Sequence, residues 1–200
     1  MIVLGILCIV AALMYRRSLR PEPAPAHVQD AGKSIIRSEL VKMAQTEFGR
    51  SERGQLLTAE VSSLLEQNRI IFSATMGGPR GFYWRELIGP KIVFIRVLEL
   101  NHGHYLHQLP GQISEALFHE AVHSRKGSFH GTSIEEECDA FAAGLCAETA
   151  SRGVIPSQTL TMDGIPLAEF VIKSYPKSPR NTDYAPVGKS LQWLNDRAGL

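Results

Sequence analysis

Two hundred residues, 44% of them hydrophobic, suffice for one compact domain with its own core plus an appendage. A net charge of +1, from 21 basic and 20 acidic residues, makes no electrostatic case for nucleic acid as a partner. Cys8, Cys138 and Cys146 are an odd, sparse set with no paired spacing, so the domain is expected to fold without a disulfide framework.

The chain begins with an apolar run, Ile2 to Tyr15, followed by Arg16, Arg17 and Arg20. As a helix this run is about 21 Å long, short of the ~30 Å hydrocarbon core, but Met1 and snorkelling arginines can extend it. Basic residues follow the run rather than precede it, which is the reverse of a signal peptide. The reading is therefore a single-pass membrane anchor (residues 1–20) with the following domain on the cytoplasmic side. The alternative is export after cleavage near the small residues Ala24 and Ala26. Residues 21–33, rich in proline at first, read as a stiff linker, and 34–200 as the folded domain.

Within that domain, "SIIRSELVKMAQTEF" and "ERGQLLTAEVSSLLEQN" carry apolar residues at helical spacing. "RIIFSAT", "GFYWREL" and "KIVFIRVLEL" are β-branched and aromatic, separated by Gly/Pro turns, and predict the strands of a small, mostly antiparallel sheet. "HQLPGQ" punctuates the chain before a helix through Ser114. "TSIEEECDAFAAGLC", "IPLAEFVIKSY" and "VGKSLQWLNDRAG" predict three more helices. Helices, then a few strands, then helices define an α+β class.

The chemistry concentrates in "HEAVH", His119 to His123. On a helix the two histidines lie one turn apart on one face, so both imidazoles can reach one ion, with Glu120 beside them. The plain alternative is a surface histidine pair next to a helical glutamate. Downstream, Ser133 and Glu136 form a capping box that starts a helix at Ile134. Placing Ile134, Cys138, Phe141 and Leu145 on the core side puts Glu135 and Asp139 together beside that face, one turn apart. Glu135 is then the candidate third ligand, and Asp139 the acceptor for the second N–H of a liganding histidine. The competing account of "EEE" is an acidic first turn that favours the helix dipole.

"HEAVH" followed by "EEECDAFA" resembles the gluzincin metallopeptidases, over residues 91–150. The resemblance implies a minimal zincin-like domain with two active-site helices and zinc on His119, His123 and Glu135. It further implies Glu120 as catalytic base, Asp139 behind the ligands, and a peptide or protein as substrate. Arg125, where such sequences often have an apolar residue, and Cys138, where they usually have alanine, depart from the pattern. The expected function is zinc-dependent hydrolysis of peptide bonds; the alternative is a non-catalytic, zinc-stabilised binding or sensor module at the membrane. His130 is the first candidate to donate to the oxyanion, alongside Tyr105, Tyr175 and Tyr184. "KIVFIRV", Lys91 to Val97, reads equally as an edge offered to an extended peptide and as an ordinary sheet strand. His102, His104 and His107 read as a solvated loop.

Overall fold

The computed structural model describes residues 20–76, 80–85, 91–101, 103–126, 133–153, 161–162 and 165–178. The apolar run up to Tyr15 and the C-terminal helix expected in "VGKSLQWLNDRAG" lie outside these residues. Among the described residues no helix is long and apolar enough to cross a membrane.

The first helix, α1, spans Ala26–Gln45, so the residues read as the second half of a linker are helical. Proline rigidifies Pro21 to Pro25, but from Ala26 onward burial decides. Val28, Gly32, Ile36, Glu39 and Met43 form one continuous buried stripe. The Gln29 side chain adds a tie that composition does not reveal. Its amide nitrogen donates to the Phe72 carbonyl at 2.6 Å, and its oxygen accepts the Phe72 N–H at 2.9 Å. Thr46 caps a single turn, α2 (Glu47–Arg50), and Ser51 caps α3 (Glu52–Glu66), each accepting the N–H three residues on.

Three strands follow, β1 (Ile70–Ser73), β2 (Gly81–Arg85) and β3 (Lys91–Arg96), in the order β1-β3-β2. β2 runs antiparallel to β3 as expected, but β1 runs parallel to it, so the main sheet is mixed. β3 is therefore the central strand. The reading of Lys91 to Val97 as an edge for an added peptide fails, because β1 and β2 already occupy both of its sides. Its sequence carries the reason in hindsight: Ile92, Val93, Phe94 and Ile95 are all buried, an uninterrupted apolar run of the kind covered on both faces. Val93 and Ile95 join the main core, whereas Ile92 and Phe94 pack with Met76 on the opposite side.

The tail of "KIVFIRVLEL" is a separate element. β4 (Leu98–Asn101) pairs with β5 (His104–Leu106) in a hairpin that turns at Gly103, φ 86°. Part of the histidine-rich stretch is thus strand rather than loop. Two long helices complete the core, α4 (Pro110–Lys126) and α5 (Ile134–Arg152), and they form the most extensive packed pair in the fold. A two-residue ribbon, β6 (Thr161–Met162) with β7 (Ile165–Pro166), leads into α6 (Leu167–Ser174) against α5. The α+β class holds: helices predominate over a small sheet.

The crossing of α4 and α5 positions everything that follows. A Cβ at Gly144 would lie 2.7 Å from the Glu115 carbonyl oxygen, so only glycine lets the two backbones approach so closely there. Glu115 is one turn before His119, and Gly144 two turns after Glu137. Close contact at this point brings the acidic start of α5 alongside "HEAVH".

Candidate metal centre

α4 presents His119 and His123 on one face, their Nε2 atoms 3.2 Å apart. The carboxylate that meets them is Glu137. Its oxygens lie 3.7 Å from His119 Nε2 and 3.6 Å from His123 Nε2. These three residues form a group able to hold a metal ion, with one donor atom from each lying within 4.8 Å of the others, the one such group found among the described residues. A tetrahedral zinc with bonds near 2.05 Å has ligand–ligand edges of about 3.3 Å, close to the Nε2–Nε2 separation and to the distance from each imidazole to its nearer carboxylate oxygen. Two imidazoles and a carboxylate are also the protein donors of a class of catalytic zinc sites. The residues present fit the ion.

Glu135, expected as the third ligand, is not in this group; Glu137 takes its place. The helical wheel misassigned it because the wheel presumes one apolar side. α5 instead buries Ile134, Glu136, Glu137, Cys138, Asp139, Ala140, Ala142, Ala143, Gly144, Cys146 and Ala147, residues that surround the whole axis. With no exposed face to orient the helix, three consecutive glutamates cannot be told apart by periodicity. The density of small residues, Ala140, Ala142, Ala143, Gly144, Cys146 and Ala147, was the available signal that α5 is enclosed.

The capping box is redistributed in the same way. Ser133 accepts the Glu136 N–H at 3.1 Å as expected. The Glu136 side chain, fully buried, instead reaches His123 Nδ1 at 2.9 Å and Lys126 Nζ at 2.5 Å. His123 Nδ1–H donating to Glu136 leaves the Nε2 lone pair facing His119 and Glu137, which is the tautomer a metal requires. Glu136 thus does what was expected of Asp139. Asp139 forms an ion pair with Arg53 of α3 and is completely buried. Arg53 and Lys126 were not singled out in the sequence, although Lys126 lies one turn beyond His123.

Electrostatics follow from burial and these partners. Burial, and then the neighbouring His123, hold His119 well below the usual histidine range, favouring the neutral ring that ligates. Burial also disfavours charge on His123, but the hydrogen bond to Glu136 and the charges of Glu120, Glu137 and Glu136 outweigh it and raise its pKa. Glu136 is depressed despite its burial, because His123 and Lys126 both favour its anion.

Glu120 is buried beside the cluster and lies under β2. A Cβ at Gly81 would sit 3.2 Å from its Cγ and 3.3 Å from its Oε1. Tyr175, just beyond α6, also reaches the cluster. Its phenol hydrogen-bonds Glu137, and burial together with Glu137 and Glu120 pushes its pKa upward. An aromatic ladder holds this corner: Phe141 packs edge-on to His119 at 4.6 Å, to Phe170 at 5.4 Å and to Tyr175 at 6.3 Å.

Of the other expected donors, His130 and Tyr184 lie outside the described residues. Tyr105 belongs to the hairpin and faces His27, with ring centroids 6.4 Å apart. His102 is likewise not described, His104 is exposed, and His107 is held by the Phe72 ring and the Val28 backbone. The assembled class is thus an α+β domain with a buried two-histidine, one-carboxylate cluster that can hold a metal ion. No family model, no curated protein and no solved structure matches the chain significantly.

Proposed function

We propose that this chain is a zinc-dependent hydrolase of peptide bonds, tethered to a membrane by its N-terminal run. One observation carries the reading: the buried carboxylate of Glu120 and the half-buried phenol of Tyr175 both stand next to the His119, His123 and Glu137 donor set. A site built only to stabilise the fold has no use for a further base and a phenol beside it.

His119, His123 and Glu137 would hold zinc, which would supply a Lewis acid for the scissile carbonyl and lower the pKa of a bound water towards neutrality. The residues of the chain do the rest. Glu120 takes the proton of the attacking water and hands it to the leaving amine. Tyr175, kept protonated by burial and by the carboxylates around it, turns its single O–H from Glu137 to the oxyanion that develops on the carbonyl. Glu136 and Lys126 hold His123 in the ligating tautomer. β2 is an edge of the main sheet and passes over Glu120 at Gly81, so an extended peptide pairing along it would cross the donor set.

Glu120→Gln tests this directly. The variant is expected to keep its fold and about one zinc per chain while losing roughly 10²- to 10⁴-fold in peptide cleavage. Unchanged cleavage would remove the mechanism. Zinc in the wild type with no cleavage of any peptide library would favour the non-catalytic binding module.

A further inference from the structure

The β4–β5 hairpin is amphipathic in the wrong direction for a soluble surface. Leu98 and Leu100 share one face of β4, and the register sets Leu106 opposite Leu98. These leucines are 46%, 57% and 51% exposed, and Leu109 just beyond is 68% exposed. The inner face carries Tyr105, packed on the main core opposite Glu99. Four exposed leucines within twelve residues form a patch rather than scatter.

The path of the chain says what covers it. Residues before α1 are fastened to the body. Glu22 N–H donates to Thr75 Oγ1 at 2.9 Å, Ala24 N–H to the Phe72 carbonyl at 2.8 Å, and Arg20 lies 5.5 Å over the Phe94 ring. The hairpin springs from the same spot. Val97 N–H donates to Ser73 at 2.9 Å immediately before Leu98, and His27 and His107 flank Tyr105 and the Val28 backbone. Between Tyr15, where the apolar run ends, and Arg20 there are five peptide steps, at most about 18 Å. If the run enters a bilayer, the end of the domain that carries the leucines is held against the headgroups.

We propose that Leu98, Leu100, Leu106 and Leu109 form a membrane-contacting face, seated in the lipid interface. The domain then lies on the bilayer in a defined orientation with Arg20 at headgroup level. This inference rests on the proposed membrane tether but on neither zinc nor catalysis.

The test uses the full chain with Cys8→Ser, reconstituted into phosphatidylcholine vesicles containing a minority of phosphatidylglycerol. An environment-sensitive fluorophore is placed on Leu100→Cys, Leu106→Cys or Val41→Cys; Cys138 and Cys146 are buried in the fold. Val41, equally exposed, lies about 21 Å along α1 from His27 and serves as the comparison. Lipid-borne nitroxide is expected to quench the probes at 100 and 106 severalfold more than the probe at 41, and aqueous iodide the reverse. Equal quenching at all three sites overturns the proposal, as does a chain that fails to sediment with the vesicles. Shielding of 100 and 106 from both quenchers, growing with protein concentration, also overturns it and assigns the face to a second copy.

Discussion

The three consecutive glutamates of α5 allow a single series of substitutions to test the site. Glu137 points its carboxylate at both imidazoles, with Oε2 3.7 Å from His119 Nε2 and Oε1 3.6 Å from His123 Nε2. A protein zinc site is worth at least ~10 kcal/mol, so one of three ligands carries about 3 kcal/mol, or roughly 10²-fold in affinity. Glu137→Gln, whose amide oxygen is a poor substitute for a carboxylate, is expected to weaken zinc by that much or more. Glu136 acts through His123 at 2.9 Å, and loss of such an outer partner costs about 10- to 100-fold. Glu136→Gln should fall low in that range, because its amide can still accept the Nδ1–H. Glu135, outside the donor group, should change affinity least. The assay is competition for zinc with a chromophoric chelator at fixed pH, with circular dichroism to confirm the fold of each variant. The expected order of loss is Glu137, then Glu136, then Glu135. A dominant effect at Glu135 with Glu137 close to wild type would refute the assembled site and restore the arrangement suggested by the helical wheel.

Tyr175→Phe removes the hydroxyl and keeps the ring; it is expected to lower kcat by about 10²- to 10³-fold with KM little changed, and to weaken zinc by about 10-fold at most through the lost bond to Glu137. A KM effect alone would make Tyr175 a binding residue only. Gly144→Ala forces a methyl to within 2.7 Å of the Glu115 carbonyl oxygen. About 1–3 kcal/mol of stability should be lost, with zinc weakened as α5 shifts, measured by denaturant titration of the apo and zinc-loaded protein. Glu39 is buried, joins α1 to the Ser114 and Ser151 hydroxyls and pairs with Lys42 within α1; burial raises its pKa, but these partners outweigh it and lower the value. A lowered folded pKa gives stability that is present above the unfolded value of about 4.5 and is lost as pH falls through the folded value. Glu39→Gln should therefore flatten the acid limb of stability below that point; an unchanged limb would show that Glu39 does not contribute to it.

What the sequence determined by itself is what local chemistry determines. "HEAVH" needs only helical spacing to bring His119 and His123 together, because residues four apart share a face wherever the helix is placed. Ser51 and Ser133 announce their helices in the same local way, through the N–H groups that every helix start must satisfy. β-Branched and aromatic residues between Gly/Pro turns marked the strands, and the order of elements marked the α+β class. Pairing was not legible, since whether β1 or β2 flanks β3, and in which direction, depends on contacts distant in sequence. The same holds for the third ligand. Choosing among Glu135, Glu136 and Glu137 requires the rotation of α5 about its axis, and that is set by Gly144 against Glu115 and by Arg53 against Asp139. Periodicity orients a helix only when one side meets water. α5 has the core and the cluster on nearly every side, so tertiary packing alone decided which carboxylate faces the histidines.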